Sequence, residues 1–401
     1  MSAEVRQGYK LTEAGVIPEE WDSSSMLSHL KEPIRNGYSP RCPETPTGTW
    51  ILSLSAVGFD GFNPNGIKPA PKNDPKIEQN LLRPQDIVIS RSNTRDRVGL
   101  AGIYEGDPAP CAYPDLLMRI RVSDSLEPKF LLKQILSDRG RQYFSESARG
   151  SSGSMVKIDR GILESFPVSV PSISEQRAIT LALSDMDALL NNIDQLIAKK
   201  RDIQQAAMQQ ILTGQRRLPG FSDEWEVANL GEISFISKGE QLSQRGDATG
   251  LVPHFNGGVS ASSYTDTANT PKDTIAISEG GNSCGFVQFI TTPFWCGGHC
   301  YAVRPRGIEN LFLYFALKGK QDSIMGLRVG SGLPNIQKSA LNSFQIALPS
   351  NRDEQTAIAT ILSDMDTELA ALETRQDKAR QLKQGMMQEL LTGGIRLPCA
   401  D

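Results

Sequence analysis

A block of about forty residues occurs twice in this chain of 401 residues. Residues 175–187, with the sequence EQRAITLALSDMD, return as EQTAIATILSDMD at residues 354–366, and the offset between the copies is 179 positions. The same offset relates the Leu-Thr-Gly of residues 212–214 to that of residues 391–393. Because chance does not produce so long a match at one fixed offset, the chain is an internal duplication and its fold must contain the same elements twice.

Each copy is predicted to form one long amphipathic helix, because its apolar residues alternate between spacings of four and three. They are Ile179, Leu183, Met186, Leu190, Ile193 and Ile197 in the first copy, and Ile358, Leu362, Met365, Leu369 and Leu372 in the second. After a polar interruption the stripe resumes at Ile203, Ala207 and Ile211, and at Leu382, Met386 and Leu390. About 38 residues at roughly 1.5 Å per residue would make each helix roughly 57 Å long.

The ends of both helices carry recognisable signals. Pro171 and Pro349 precede them, residues 172–175 have capping-box spacing, and Gly214 and Gly393 stand where a helix C-terminus favours glycine. A single helix with one apolar stripe is not stable alone, so we expect the two copies to pair as an antiparallel coiled coil. An ordinary helical hairpin within a larger core is the alternative.

The segments before the two helices resemble each other more weakly and predict two globules of α+β class. Residues 85–90 and 272–278 are strand-like runs, later strands end near Val122 and Val303, and helices are expected over 129–147 and 309–325. The segments also begin alike, and Arg-Leu-Pro at 217–219 returns at the end of the chain at 396–398. The predicted domains are globules at 1–170 and 214–349 and helices at 171–213 and 350–401, in a tandem pseudo-two-fold arrangement.

Charge is distributed unevenly between these segments. Residues 1–170 hold 21 basic and 21 acidic residues and residues 214–349 hold 11 of each, so both globules are neutral. The helical segments are acidic, with 4 basic against 5 acidic residues in 171–213 and 6 against 9 in 350–401. Because phosphate binding requires local positive charge, the helices are predicted to be protein-docking spacers.

The composition predicts a cytoplasmic protein. Apolar residues make up 39% of the chain, and no run reaches the roughly 20 apolar residues that cross a bilayer, so no membrane association is expected. The first residues lack the basic-then-apolar order of a secretion signal, and six scattered cysteines fit a reducing compartment.

With these features, the chain resembles the specificity (S) subunits of type I restriction-modification enzymes over essentially its whole length. The most specific parts are the Pro-to-Glu-Gln helix starts at 171–176 and 349–355, the Leu-Ser-Asp-Met-Asp blocks, and the Leu-Thr-Gly helix ends. The resemblance implies two target-recognition domains, each binding one half of a split sequence in double-stranded DNA. It also implies partners: methyltransferase subunits docked on the helices, and restriction-translocase subunits within the complex. Because the globules differ in sequence, we expect the two half-sites to differ.

The candidate DNA-binding residues lie in loops of the two globules. Arginine and asparagine hydrogen-bond guanine and adenine edges, and serine serves bases or phosphates. Residues 91–97 form an arginine-rich loop between predicted strands, whereas the equivalent residues 279–283 hold no arginine, so the second globule must take its positive charge elsewhere. Solvated hairpin loops and plain glycine linkers are the alternatives. The candidates are Arg91, Ser92, Asn93, Arg95, Arg97, Arg149, Ser151, Ser152, Lys157, Lys238, Asn282, Arg328, Ser331, Asn335 and Lys338.

Other residues in the chain resemble the sites of two different chemistries. Asp115, Glu127 and Lys129 have the form of a magnesium-dependent PD-(D/E)xK nuclease, but Pro128 suits the first turn of a helix better than a strand. Cys284, Cys296 and Cys300 lack the spacing of a zinc finger or ribbon. A coiled-coil scaffold without a DNA role is a third possibility.

The sequence lacks both a phosphate-binding P-loop and the Asn/Asp-Pro-Pro-aromatic tetrapeptide of amino-methyltransferases. It therefore predicts a non-catalytic subunit without a cofactor or metal.

Overall fold

A computed structural model describes residues 6–398 except residues 60, 151–154, 243–249, 331 and 333. The chain divides into two compact units. Unit 1 comprises residues 1–192 with 377–401, and unit 2 comprises residues 193–376. Each unit therefore combines one of the predicted globules with part of each predicted helix. Among the described residues, no helix has the length and hydropathy needed to span a membrane.

Unit 1 is built mainly from short strands, followed by the first long helix. Its elements are β1 (Tyr9–Thr12), β2 (Gly15–Pro18), β3 (Asp22–Ser25), β4 (Leu30–Asn36), β5 (Trp50–Leu52), β6 (Val57–Gly58), β7 (Gly61–Phe62), β8 (Ile67–Pro69), α1 (Pro75–Gln79), β9 (Asp86–Ser90), β10 (Ser92–Asn93), β11 (Ala101–Tyr104), β12 (Cys111–Ala112), β13 (Leu117–Val122), α2 (Pro128–Leu136), α3 (Asp138–Ser147), β14 (Val156–Lys157), α4 (Arg160–Glu164), β15 (Pro167–Val170) and α5 (Ile173–Ile211). The last helix continues into unit 2 after residue 192.

Unit 2 repeats much of this order. Its elements are β16 (Trp225–Asn229), α6 (Leu230–Ile233), β17 (Ser234–Lys238), β18 (Val252–Phe255), β19 (Ser263–Thr265), β20 (Thr274–Ser278), β21 (Val287–Ile290), β22 (Trp295–Cys296), β23 (Cys300–Pro305), α7 (Asn310–Gly319), α8 (Gln321–Met325), α9 (Lys338–Asn342), β24 (Gln345–Pro349) and α10 (Arg352–Leu391). Residues 377–391 of α10 belong to unit 1.

Both units are organised around an antiparallel four-stranded sheet. The strand order is β4-β13-β9-β11 in unit 1 and β17-β23-β20-β21 in unit 2. A three-stranded sheet accompanies each, in the order β8-β5-β12 and β19-β18-β22, and in both the last pair is parallel. Every residue of β9 and β20 is buried, as the strand-like runs predicted. The matching topology confirms the mixed α/β class and the internal duplication.

The helix predicted after the sheet in each globule is observed as two helices. In unit 1, the backbone of Ser137 is extended, with ψ of 159°, and its hydroxyl oxygen accepts the backbone N–H of Gly140 at 3.2 Å. Lys320 separates α7 from α8 in unit 2. The single-helix predictions over 129–147 and 309–325 are therefore wrong at these positions. A serine that caps the next helix competes with continuation of the first.

The Glu-Gln pair of each repeat attaches its long helix to the globule of the same unit. The side-chain amide of Gln176 donates to the carbonyl oxygens of Pro171 and Ser125, and its Oε1 accepts the N–H of Glu127 at 2.8 Å. Gln355 makes the same contacts with Pro349 and with the N–H of Glu309, at 2.8 and 2.9 Å. The glutamine thus satisfies backbone groups at the start of a helix that would otherwise lack partners.

The glutamate of each pair binds the arginine of an Arg-Leu-Pro segment. Glu354, which is fully buried, accepts two hydrogen bonds from Arg217 at 2.8 and 2.7 Å in unit 2. Glu175 accepts two from Arg396 at 2.5 and 2.8 Å in unit 1. Because Glu175 is engaged in this way, the capping box predicted over residues 172–175 is only half formed, with Ser172 Oγ accepting the N–H of Glu175 at 3.3 Å.

A tryptophan completes the same arrangement in both units. The guanidinium of Arg396 lies over the Trp21 ring at 5.6 Å, and that of Arg217 lies over the Trp225 ring at 5.9 Å. The chain's last Arg-Leu-Pro segment therefore packs in unit 1 as the central one packs in unit 2. The repeated sequence at 396–398 completes the first globule.

The two long helices run antiparallel where they meet inside unit 2. Lys200 pairs with Glu368 at 2.7 Å, Arg201 with Glu373 at 2.6 Å, and Gln204 donates to Asp366 at 2.6 Å. In unit 1, Lys383 of α10 pairs with Asp187 of α5 at 2.6 Å. The predicted helix ends are confirmed, because Gly214 and Gly393 have φ of 70° and 72° beyond the last turns.

The predicted apolar stripe is mostly buried but fails at one pair of positions. Ile179, Leu183, Ile193, Ile197, Ile358, Leu362 and Leu369 are buried. Ile203 and its repeat equivalent Leu382 are 44% and 57% exposed, so the stripe prediction is wrong there. Ile203 and Leu382 stand one position out of the heptad register, which is occupied there by Gln204 and Lys383, whereas Ile211 and Leu390 are in register and buried. A coiled coil along the whole helix length remains a prediction.

Candidate nucleic-acid interface

In unit 1, the inner strand β9 ends at Ser90, so Arg91 lies at the end of that strand. The N–H of Arg91 donates to the carbonyl oxygen of Leu116, and its own carbonyl oxygen accepts the N–H of Ile158, both at 2.9 Å. These bonds hold the backbone at this point between β13 and the segment after α3. Arg91 itself is only half-buried.

The rest of the arginine-rich loop has more varied surroundings. Ser92 is buried, and Asn93 Oδ1 accepts the N–H of Thr94 at 2.9 Å. The exposed Arg95 donates to the carbonyl oxygen of Ser145 at 2.6 Å. Arg97 is exposed and lies 6.0 Å from the centroid of the Phe59 ring. Arg91 and Arg97 leave donors for a ligand, whereas Ser92 contributes to the sheet.

A second predicted segment lies beside this loop, because β10 pairs with β14 in antiparallel register. Arg149 and Lys157 exchange two backbone hydrogen bonds of 2.9 Å, and Ser92 lies opposite Lys157. Arg149 is 80% exposed and pairs with Asp159 at 3.5 Å. Ser151 and Ser152 lie outside the described residues. The structure thus brings the two separate sequence predictions of unit 1 into one basic surface.

In unit 2, the residue at the corresponding position is Glu279. Its N–H donates to the carbonyl oxygen of His299 and its carbonyl oxygen accepts the N–H of Ile336, both at 2.9 Å. The Glu279 side chain is 11% exposed. Its Oε1 lies 2.6 Å from Lys238 Nζ and accepts a 3.1 Å hydrogen bond from the Tyr301 hydroxyl. Lys238, a predicted source of free positive charge, is therefore neutralised by this carboxylate.

One carboxylate oxygen of Glu279 has no hydrogen-bond partner. Oε2 is buried without a hydrogen-bond partner, and its nearest ionisable neighbour is His299 Nδ1 at 3.7 Å, which is too long for a hydrogen bond. Burial, together with the Glu279 charge, raises the pKa of Tyr301 to about 12, so the phenol remains a proton donor at neutral pH.

The remaining predicted residues of unit 2 lie around this carboxylate or nearby. Asn335 forms a bridge with Gly280 and exchanges backbone hydrogen bonds of 2.8 and 3.0 Å with Val329. The side chains of Asn282, Arg328, Asn335 and Lys338 are exposed. Ser331 lies outside the described residues. The glycine loop around Arg328 is therefore joined to the strand end through Asn335.

A cavity of about 450 Å³ lies next to Glu279 and includes residues that the sequence reasoning missed. Asn256, Gly257, Gly258 and His299 line it together with Lys238 and Asn335. Asn256 Oδ1 accepts the N–H of His299 at 3.0 Å. An Asn-Gly-Gly turn after a strand was the available signal, since Gly257 and Gly258 have φ of 79° and 93°, a region that favours glycine.

The three residues of the nuclease alternative each have other partners. Asp115 accepts a 2.5 Å hydrogen bond from Ser39, Lys129 pairs with Glu105 at 3.2 Å, and Glu127 is the N-cap residue of α2 with Pro128 in its first turn. Within the described ranges, no group of three His, Cys, Asp or Glu side chains is positioned to hold a metal ion. The placement of Pro128 agrees with the helix interpretation.

The cysteines of unit 2 are interior residues. Cys284, Cys296 and Cys300 are buried, and each thiol lies near a backbone carbonyl oxygen. Burial raises the pKa of Cys284. A hydrogen bond with the Cys296 thiol and burial both raise the pKa of Cys300. These surroundings disfavour thiolates at Cys284 and Cys300, and the burial of all three side chains agrees with a packing role.

Comparison with known proteins adds sequence and structural relatives. Residues 222–381 match the family described as type I restriction modification DNA specificity domain. A type I specificity subunit of Mycoplasma genitalium is 36% identical over 163 residues, which cover 40% of this chain and 42% of that relative. The specificity subunit of the EcoDI type I restriction enzyme of Escherichia coli is 31% identical over 40% of this chain and 35% of its own length. Both alignments thus cover less than half of the relative.

Two further matches extend over nearly the whole chain. A type I restriction enzyme MjaX specificity subunit of Methanocaldococcus jannaschii is 25% identical over 98% of this chain and 97% of its own length. The crystal structure of a type I restriction-modification S subunit from M. genitalium shares the fold, with a TM-score of 0.64 at 18% identity over 95% of this chain and 97% of the other. Over nearly its whole length the chain is thus similar in sequence to a type I specificity subunit, and it shares the fold of another.

Proposed function

We propose that this chain is the sequence-specificity subunit of a type I restriction-modification enzyme and that its two globules bind two different halves of a split DNA target. In this proposal the candidate surfaces around Arg91 and Glu279 face the DNA. The chain itself carries out no catalysis, and methyltransferase subunits dock on its long helices. Restriction-translocase subunits join through the complex.

One observation carries the proposal. The two units share sheet topology and the contacts that attach helix to globule, but they differ at the end of the central strand. Unit 1 has a cluster of arginines there, whereas unit 2 has a carboxylate paired with Lys238. A duplicated fold with unlike exposed side chains at equivalent loops is suited to recognising two unlike ligands of one class, because base edges are distinguished by their donor and acceptor patterns.

The charge distribution supports a requirement for partners. Each predicted globule is neutral overall, with 21 basic and 21 acidic residues in 1–170 and 11 of each in 214–349. Nonspecific affinity for DNA comes mainly from phosphate neutralisation by Lys and Arg. A neutral globule is therefore expected to bind DNA weakly alone and tightly once a methyltransferase partner adds contacts to the phosphates.

Genome-wide methylation mapping tests this proposal. The chain is co-expressed with its methyltransferase partner in a host without adenine methylation, and the methylated motif is determined. We expect a split, asymmetric motif that appears only when both proteins are present. A continuous or palindromic motif would contradict two unlike recognition surfaces, and the same motif without this chain would contradict its role in specificity.

A gel-shift measurement tests the requirement for a partner. DNA that contains the mapped motif is titrated with the chain alone and with the chain plus the methyltransferase. We expect tight, motif-dependent binding only in the second titration. Equally tight and specific binding by the chain alone would show that the partner adds nothing to recognition. Retention of no DNA in either titration would support the scaffold alternative.

A further inference from the structure

We infer that the residue immediately after the central strand is a base-specificity position in both units, with Arg91 recognising guanine and Glu279 recognising the amino group of cytosine. This inference rests on the proposed DNA-recognition function and deepens it by naming two residues and the chemistry of their ligands. Arg91 and Glu279 have opposite charges, so the two surfaces should select opposite donor and acceptor patterns.

The backbone surroundings of Arg91 and Glu279 are the same. In unit 1, the N–H of Ser90 donates to Leu100 and the N–H of Gly99 donates to Ser90, both at 2.8 Å. In unit 2, the equivalent bonds join Ser278 with Phe286 at 3.0 Å and Gly285 with Ser278 at 2.8 Å. The next residue in each unit, Arg91 or Glu279, is then held through both its N–H and its carbonyl oxygen.

This equivalence fixes where both side chains begin. The peptide groups of Arg91 and Glu279 are each bonded to a neighbouring strand and to the segment that leads into the short helix α4 or α9. Rigid attachment lowers the entropic cost of binding and makes the orientation of a side chain reproducible. A change of residue at this point therefore alters chemistry without moving the backbone.

Arg91 presents a donor pattern. It is half-buried, and its neighbours Ser92 and Asn93 are occupied in the sheet and in a local turn. A guanidinium offers two parallel N–H groups, which match the O6 and N7 acceptors of guanine in the major groove. Guanine is accordingly the base expected opposite Arg91.

In unit 2, the carboxylate of Glu279 is a hydrogen-bond acceptor that lies beside the ammonium donor of Lys238. Its Oε1 is held by Lys238 and Tyr301, while Oε2 has no hydrogen-bond partner. The cytosine N4 amino group is a donor, and the O6 of its paired guanine is an adjacent acceptor. A C·G pair therefore matches Oε2 of Glu279 together with the ammonium group of Lys238.

Adenine is the less favourable ligand for Glu279. A carboxylate that accepts from the N6 amino group of adenine also faces the N7 acceptor of the same base, whereas the major-groove edge of cytosine has no acceptor of its own beside N4. The cavity of about 450 Å³ beside Glu279 provides space for an incoming base edge. His299, the ionisable neighbour of Oε2, has a side chain that is 62% exposed and can rotate away from the carboxylate.

Methylation mapping of variants tests the inference. The chain is co-expressed with the methyltransferase as wild type, Arg91→Gln, Glu279→Gln and the double variant. We expect Arg91→Gln to relax one guanine of the first half-site only. Glu279→Gln should relax or convert to adenine one cytosine of the second half-site only, because glutamine offers both a donor and an acceptor. The preference at each position should fall about 10-fold or more.

Two controls separate base recognition from structural damage. Glu226→Gln removes an exposed carboxylate on β16 of the same unit and should leave the motif unchanged. Arg91→Lys retains a donor and should keep the guanine preference with weaker overall methylation. Melting temperatures of all variants identify any that fail to fold.

The outcomes are distinguishable from failure of the proposed function. A split motif in the wild type that stays identical in Arg91→Gln and Glu279→Gln would overturn the inference and leave the proposed function intact. Uniformly reduced methylation without a change at one motif position would assign both residues structural roles and also overturn it. Absence of any wild-type motif would instead count against the proposed function.

Discussion

Units 1 and 2 are alike where the globule joins the long helices and different where the central strand ends. Gln176 and Gln355 share two equivalent backbone contacts, and Glu175 and Glu354 bind arginines from the same repeated segment. At the strand end, by contrast, arginine stands in one unit and a buried glutamate in the other. The residues that attach the globule to the helices are therefore shared by both units, whereas the residue at the strand end can differ and give each unit its own ligand.

Matched substitutions in the two cores should have the largest effect. Phe130 and Phe312 are both fully buried and each lies three residues after the backbone N–H that binds the repeat glutamine. We expect Phe130→Ala and Phe312→Ala to destabilise their own units by about 3–5 kcal/mol each, because a large cavity replaces the ring. Hydrogen exchange of amides in β13 and β23 measures the two losses. A loss below about 1 kcal/mol in either unit would break the equivalence.

The repeat glutamines should have the next largest effect. Gln176→Ala and Gln355→Ala leave buried backbone groups without partners, and we expect losses of about 1–3 kcal/mol. Gln176→Ala should cost more, because Gln176 also donates to Ser125 and so makes one bond more than Gln355. Urea denaturation compares both with Gln195→Ala, an exposed helix control. The reverse ranking would show that hydrogen-bond number does not govern the difference.

Asp187 on the first long helix should make stability depend on pH. Burial opposes ionisation of Asp187, but Lys133 and Lys383 outweigh it and hold its pKa below the usual value. Its stabilising contribution is therefore complete above the pKa of an unfolded aspartate, about 3.9, and is lost as the pH falls through the folded-state pKa. Asp187→Asn should lower the melting temperature at pH 7 and converge with wild type in acid.

The repeat equivalent of Asp187 provides the matched variant. Asp366 accepts a hydrogen bond from the uncharged Gln204 in unit 2. We expect Asp366→Asn to lower the melting temperature at pH 7 less than Asp187→Asn does. An equal loss in both variants at pH 7 would contradict the contribution assigned to the two lysines.

Single exposed cations should have the smallest effect. Arg149→Gln and Lys338→Gln each remove one charge from a candidate DNA surface. In the complex with methyltransferase, each should weaken binding to all DNA sequences alike and reduce the salt slope by about 0.9 per lost phosphate contact. Binding titrations over a range of salt concentrations measure the slope, with Lys31→Gln as an exposed control. An unchanged slope would remove that residue from the surface.

Sequence reasoning was most successful where the signal was local or repeated. The two long helices, their glycine ends and the buried strands β9 and β20 followed from periodicity and the fixed offset. It failed at Ser137, where capping of the next helix interrupts the first, and at Ile203 and Leu382, which are exposed. The helix break and the exposure of these side chains depend on which neighbouring residues compete for the same backbone groups and the same buried surface.

The candidate site shows the same division. The order of residues was sufficient to predict that the chain is duplicated, that two globules alternate with two helices, and that arginines concentrate in the first loop. The folded structure was needed to show that Arg149 and Lys157 lie beside this loop, that Glu279 occupies the position of Arg91, and that Lys238 is paired with Glu279. Periodicity and repetition act along the chain, whereas these pairings join residues distant in sequence and depend on how the strands align.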